Sequence, residues 1–166
     1  MDDRLTANGA RRSGEGAAIA GAPAPPRPTV SAVICTVNRP QLLRAAIASI
    51  VAQRYNGVVE TIVVYDGTEP DESLNSADPL RPVTVMGNTH RPSLPAGRNC
   101  GAEAATGEYL GFCDDDDTWL GGKAAAQVAQ LVAHPEVDAV VCGLEVDHRG
   151  EVIPRPLHTD AVTFGD

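Results

Sequence analysis

The sequence predicts an α/β protein with a mostly parallel sheet and helices on both faces. Two observations carry that prediction. Short apolar runs of strand length alternate with segments whose apolar residues recur at helical spacing. Polar residues suited to chemistry stand directly after several of the runs, where ligands bind in open parallel sheets.

The elements follow in order. Val30–Cys35 is a continuous apolar run, as expected of a strand buried on both faces. Pro40 suits the first turn of a helix, and Leu43, Ala46, Ile47 and Ile50 then form one apolar helix face. Val58–Tyr65 is rich in β-branched residues and reads as a second strand, closed by the turn signal Asp66-Gly67. Val83–Met86 is a short third strand. A loop holding Pro92 and Pro95 leads to a helix over Ala96–Ala105, with Gly107 as its terminator. Tyr109–Cys113 is a fourth strand. Gly121–Ala133 is a helix with Ala124, Val128, Leu131 and Val132 on one face, stopped by Pro135. Ala139–Val146 is a fifth strand, and Asp147–Gly150 turns the chain toward Glu151–Ile153.

The chain has 166 residues, enough for one domain with a real core. Residues 1–28 are rich in Gly, Ala, Pro and Arg without periodicity and read as a disordered extension. Arg11-Arg12 ahead of Ala17–Ala22 does not make a twin-arginine signal, because Gly16 and Gly21 break the apolar stretch. No run of ~18 apolar residues is present, so no transmembrane segment is expected. A net charge of −9 argues against a broad basic face, and so against nonspecific nucleic-acid binding. An acidic protein still binds a phosphate ligand when a metal ion bridges the two sets of negative charge. Cys35, Cys100, Cys113 and Cys142 contain no CxxC pair, which argues against a zinc knuckle. Three of them sit in apolar, strand-like runs, and all four read as reduced thiols of a cytoplasmic protein.

Asp114-Asp115-Asp116-Asp117 is the sharpest chemical feature. Adjacent carboxylates at a strand end repel one another until a counter-charge arrives. Strand alternation places Asp114 and Asp116 on one side, and Asp115 and Asp117 on the other. Two carboxylates on one side suit Mg²⁺ or Mn²⁺ with positions left for phosphate oxygens and water. The competing reading is a solvated acidic loop that caps the next helix. Asp66 reads either as a plain turn residue or as an acceptor for a nucleobase imide. Arg98, in Gly97-Arg98-Asn99-Cys100-Gly101, suits a diphosphate, and Asn99 suits backbone or ligand. GxxxxGK[ST], GxGxxG, HExxH and GxSxG are all absent, which removes ATPase, dinucleotide, zinc-protease and serine-hydrolase readings.

Taken in order, Thr36-Val37-Asn38-Arg39, Tyr65-Asp66-Gly67, Gly97–Gly101, Gly107–Leu110 and Phe112–Trp119 resemble the nucleotide-binding half of a family 2 glycosyltransferase. The resemblance covers residues 29–153, with 154–166 as a tail or the start of a missing acceptor region. It implies a GT-A, Rossmann-like fold that is short at its C-terminal end. It also implies transfer of a sugar from a UDP- or GDP-linked diphosphate donor to a hydroxyl of a glycan, lipid or small molecule. The reaction would be inverting and dependent on Mg²⁺ or Mn²⁺. On this resemblance Asp116 is the principal metal carboxylate, Asp114 assists, and Asp115 lies near the ribose or donor sugar. Asp66 holds the base, and Thr36, Asn38, Arg39, Arg98 and Asn99 belong to the nucleotide site.

The sequence departs from the family pattern at Cys35 and Val37, which replace a proline and a tyrosine, and at Tyr65, which replaces an aspartate. In this family the catalytic base and the acceptor side lie beyond the point where this chain stops, so no catalytic residue is assigned. Asp147, Glu151, His158 and Asp160 read as solvated loop residues, and His148 or His158 as remote candidates to complete a metal site. The alternative to an enzyme is a nucleotide-sugar-binding module, or an inactive fragment, that needs a partner chain or oligomer for the acceptor side.

Overall fold

The computed structural model describes residues 27–156. Most of the expected N-terminal extension, together with His158 and Asp160, lies outside the described residues. The elements run β1 (Val30–Thr36), α1 (Pro40–Val51), β2 (Val59–Tyr65), β3 (Val83–Gly87), α2 (Leu94–Ala104), β4 (Tyr109–Asp114), α3 (Lys123–Ala133), β5 (Leu144–His148) and β6 (Glu151–Arg155). One 3-10 turn, Glu72–Leu74, lies between β2 and β3.

β1 to β4 form a four-stranded, wholly parallel sheet in the order β3-β2-β1-β4. All seven residues of β1 are buried, Ser31 and Thr36 among them, which fits its mostly apolar composition. Val30, Ala32 and Ile34 pack on one face with Leu43, Ala46 and Ile50 of α1 and Ala124 and Val128 of α3. Val33 and Cys35 pack on the other with Ile62, Val64 and Cys100 of α2. Helices therefore cover both faces of the central strands, as expected.

Several expectations are corrected. Ala139–Val146 does not add a fifth strand to the sheet. Residues 139–143 have no regular structure, and β5 pairs antiparallel with β6 as a separate hairpin. The reason is local. Arg149 and Gly150 both take positive φ, 57° and 87°, so the chain reverses at once. Glu145 and Asp147 also interrupt the apolar run that a strand covered on both faces requires. The hairpin continues to Arg155, past the boundary expected at residue 153. Helix α2 starts before the expected Ala96, because Ser93 Oγ caps the Ala96 amide at 3.3 Å and Pro95 fits the first turn.

Gly107 does not terminate α2, and it lacks positive φ. It lies against β1, where an added Cβ would stand 2.7 Å from both the Ser31 nitrogen and its Oγ. On α3, Val132 is exposed rather than packed. Cys142 is exposed and outside any strand, while Cys35, Cys100 and Cys113 are buried, and all four thiols are free. Burial raises the Cys35 and Cys113 thiols to about 11 and about 12, so both stay protonated near neutral pH.

Glu60 ties β2 to the approach of β4. Its Oε1 accepts from Ser31 Oγ, from the Thr106 amide at 2.7 Å and from Thr106 Oγ1 at 3.0 Å. Burial pushes this carboxyl up, but the hydrogen bonds outweigh burial and hold it below its ordinary 4.5. A depressed acid stabilises the fold above its unfolded pKa and loses that contribution as pH falls through the native value. Glu60→Gln is therefore expected to be less stable than wild type at neutral pH. The gap should close as pH falls below 4.5, measured by urea unfolding at a series of pH values.

Candidate nucleotide-binding site

The chain runs outward from β1 through β2 to β3, then returns to place β4 on the other side of β1. The strand order reverses between β1 and β4, and ligands bind at the carboxyl ends of strands at such a point. Register brings the ends together, with Cys35 opposite both Val64 and Asp114. A cavity of about 310 Å³ opens there. Its walls include Thr36, Val37 and Arg39 from the β1 end, Asp66 from the β2 end, and Asp114, Asp115 and Asp116 from the β4 end.

Each carboxylate has a different environment. Asp115 is 6% exposed and accepts from Thr36 Oγ1 at 2.7 Å and from Arg39 Nη1 at 3.1 Å. The same Arg39 nitrogen donates to Asp116 Oδ2 at 2.8 Å. Asp114 pairs with Arg98, whose guanidinium lies 5.9 Å from the centre of the Phe112 ring. The side chains of Asp114 and Asp116 are about half exposed, 47% and 52%. Asp117 is raised above its ordinary value by burial first, then by the charges of Asp114 and Asp116. The cluster thus retains unrelieved repulsion despite its two arginines.

Strict alternation along Asp114–Asp117 does not hold. β4 ends at Asp114, and the Asp117 amide bonds the Asp114 carbonyl at 3.0 Å, so the chain turns. Three successive aspartates consequently line one cavity. Among the described residues, no group of three His, Cys, Asp or Glu forms a protein cage for a metal. His148 sits on the exposed β5–β6 hairpin and does not line this cavity.

Asp66 is held from two sides. Its amide donates to the Thr36 carbonyl at 2.9 Å, and its Oδ1 accepts from Asn88 Nδ2 at 2.7 Å. Gly67, at φ +73°, then turns the chain away. Asn88 is a site residue that sequence reading missed. The signal was its place directly after the third strand, where the same strand-end rule applies.

Three expected site residues do not line this cavity: Arg98 borders it through its pair with Asp114, whereas Asn38 and Asn99 stand elsewhere. Asn38 takes φ 51°, turning the loop between β1 and α1, and is not a wall of the aspartate cavity. Asparagine tolerates this conformation better than most residues. Asn99 is exposed and lines a second, more open cavity of about 590 Å³ with His90, Arg91, Ser93 and Glu103.

The family model described as "Glycosyl transferase family 2" matches residues 31–160. The chain is 33% identical over 139 residues to "Putative colanic acid biosynthesis glycosyl transferase WcaA" of Escherichia coli (strain K12), covering 78% of this chain and 47% of that protein. It is 25% identical over 101 residues to "UDP-Glc:alpha-D-GlcNAc-diphosphoundecaprenol beta-1,3-glucosyltransferase WfaP" of Escherichia coli, covering 60% of this chain and 39% of that protein. This chain thus spans less than half of either relative. Among solved structures it superposes on the mannosyltransferase PcManGT from Pyrobaculum calidifontis in complex with GDP-Man and Mn²⁺. That match has a TM-score of 0.57 and 26% identity, over 70% of this chain and 35% of that one. It also shares its fold with S. aureus TarS 1–349 in complex with UDP, at a TM-score of 0.53 and 20% identity over 64% and 33% of the two chains.

Proposed function

The chain belongs to glycosyl transferase family 2, and on that premise we propose that it forms the donor-binding part of a metal-dependent, inverting glycosyltransferase. The donor is a nucleotide-diphosphate sugar. One observation carries the reading: Asp66, Arg39 and the three aspartates Asp114–Asp116 meet at one cavity where the strand order reverses. The relatives' names and bound ligands point the same way, with UDP-glucose in the name of one and GDP-mannose with Mn²⁺ in the structure of another.

The residues fit a hard divalent cation. Mg²⁺ and Mn²⁺ favour one or two carboxylates together with phosphate and water oxygens rather than an all-protein cage. Asp114 and Asp116 are half exposed and each meets an arginine through one oxygen only, leaving the other for a cation, whereas both oxygens of Asp115 are taken by Thr36 and Arg39. When bound, the cation would neutralise charge developing on the leaving diphosphate. Asp66 keeps one carboxylate oxygen free of Asn88 for a base imide. Arg39 and Arg98 supply positive charge beside the diphosphate position.

A second reading is favoured by one observation. Asp147 and Glu151, two carboxylates beyond the acidic run, sit on the exposed β5–β6 hairpin and do not line the cavity. On that reading this chain binds the donor while another chain or segment supplies the base and the acceptor site. A cytoplasmic location belongs to the same proposal and is supported by the four free thiols. Among the described residues, no helix is long and apolar enough to cross a membrane.

Calorimetric titration of UDP, then GDP, with Mn²⁺ and with EDTA tests the proposal. Binding of one nucleotide that requires Mn²⁺ is expected. No binding by the folded chain overturns the donor-site reading and leaves the family relationship as evidence of fold and descent.

A further inference from the structure

The acidic cavity carries its own cation. Arg39 Nη1 bridges Asp115 and Asp116, at 3.1 and 2.8 Å. The two contacts differ in kind. Asp115 is buried and also anchored by Thr36 Oγ1, so that end of the bridge is fixed. Asp116 is half exposed, and among the described residues Arg39 is its one side-chain partner. The Arg39 side chain is itself 51% exposed, which leaves it room to swing. The same carboxylate that the metal reading needs is therefore occupied by a guanidinium on a pivot.

We propose that Arg39 is an exchangeable counter-ion for Asp116. It holds the acidic turn together without metal, gives up Asp116 to the incoming divalent cation, and turns about Asp115 to meet the diphosphate. The inference rests on the donor-site reading above and adds a positioning residue to it. It also explains how consecutive aspartates are tolerated at a strand end before any ligand arrives. Electrostatic competition then makes metal and nucleotide bind together rather than separately, because the metal alone must displace Arg39 with no anion to receive it.

The test separates two binding events. Mn²⁺ alone is titrated by electron paramagnetic resonance into wild type, Arg39→Gln and Arg39→Lys. Each nucleotide is then titrated by calorimetry with saturating Mn²⁺ and again in EDTA. Arg39→Gln is expected to bind Mn²⁺ alone about two- to fivefold more tightly, because a competing half-exposed cation is gone. It should bind the Mn²⁺-nucleotide pair about tenfold more weakly, because a charged hydrogen bond is lost. Arg39→Lys should restore part of both. In EDTA, Asp116→Asn should bind the nucleotide slightly more tightly than wild type, since it frees Arg39.

A purely structural role for Arg39 would move both affinities of Arg39→Gln in the same direction. Weaker or unchanged Mn²⁺ binding by Arg39→Gln, in a wild-type background that binds Mn²⁺ and nucleotide together, overturns the exchange and leaves the donor site standing. Wild-type nucleotide binding that is identical in Mn²⁺ and EDTA overturns the metal reading, and the exchange with it.

Discussion

Asp116→Ala is expected to abolish the Mn²⁺-dependent part of nucleotide binding while leaving the fold intact. Asp116 lies on the turn after β4, half exposed, and belongs to neither core cluster. Its loss removes one negative charge from a run in which Asp117 is raised by burial and, after that, by the charges of Asp114 and Asp116. It also removes the half-exposed Arg39–Asp116 ion pair, a contribution of similarly small size, so the apo protein should unfold within a few degrees of wild type. Binding is another matter. With one of the two proposed metal carboxylates gone, affinity for UDP or GDP in Mn²⁺ should fall about 100-fold or to the level seen in EDTA. Asp115→Ala is the contrasting variant. It removes a buried carboxylate from Thr36 and Arg39, so it should lose stability as well as binding. Equal nucleotide affinity for wild type and Asp116→Ala, with and without Mn²⁺, would falsify the metal assignment.

Gly107→Val is expected to cost about 2–4 kcal/mol of stability. Any Cβ at residue 107 meets the backbone of β1, at 2.7 Å from the Ser31 nitrogen and 2.8 Å from the Val30 carbonyl carbon. A central strand paired on both edges cannot yield as a flexible side chain would. The variant must push β4 away from β1 and break the Gly107 amide bond to Ser31 Oγ, 2.8 Å long in the wild type. Because β4 carries Asp114 and leads into Asp115 and Asp116, the cavity should open with it. Thermal unfolding should show a fall in Tm on the order of 10 °C, accompanied by weaker nucleotide binding. A Tm within 2 °C or so of wild type would mean that residue 107 is an ordinary loop position. The paired variant Gly67→Ala isolates the effect: Gly67 has positive φ but no atom within 4 Å of an added Cβ, so its strain would come from the backbone alone.

Part of the candidate site was legible because strand ends are marked by local pattern. The apolar or β-branched runs before Thr36, Asp66 and Asp114 predicted strands, and the α/β alternation predicted that those strands are mostly parallel. Their carboxyl ends then had to share one edge of the sheet. Thr36, Arg39, Asp66 and Asp114–Asp116 do line one cavity there. Asn88 follows the same rule directly after β3, and it supports Asp66 through a side-chain hydrogen bond that only the folded chain reveals. Asn38 and Asn99 belong to motifs that sit near the site in sequence, yet adjacency along a loop or helix does not decide which way a residue faces. Asn99 lies one position from Arg98 on α2, so about 100° of helical rotation separates them. Arg98 reaches Asp114, whereas Asn99 faces the other cavity.

By itself, then, the amino-acid sequence determined the elements, the parallel sheet and the edge where chemistry collects, since each follows from apolar periodicity and short-range turn chemistry. Only the tertiary structure decided which charges meet. Arg39 and its two aspartates are more than 70 residues apart in the chain, and no local pattern records a contact made across a sheet. It also decided that Gly107 serves close approach between strands rather than the end of a helix, and that the last two strands pair with each other. Those outcomes depend on competition between partners distant in sequence, which is settled by packing and pairing energies and not by the propensities of neighbouring residues.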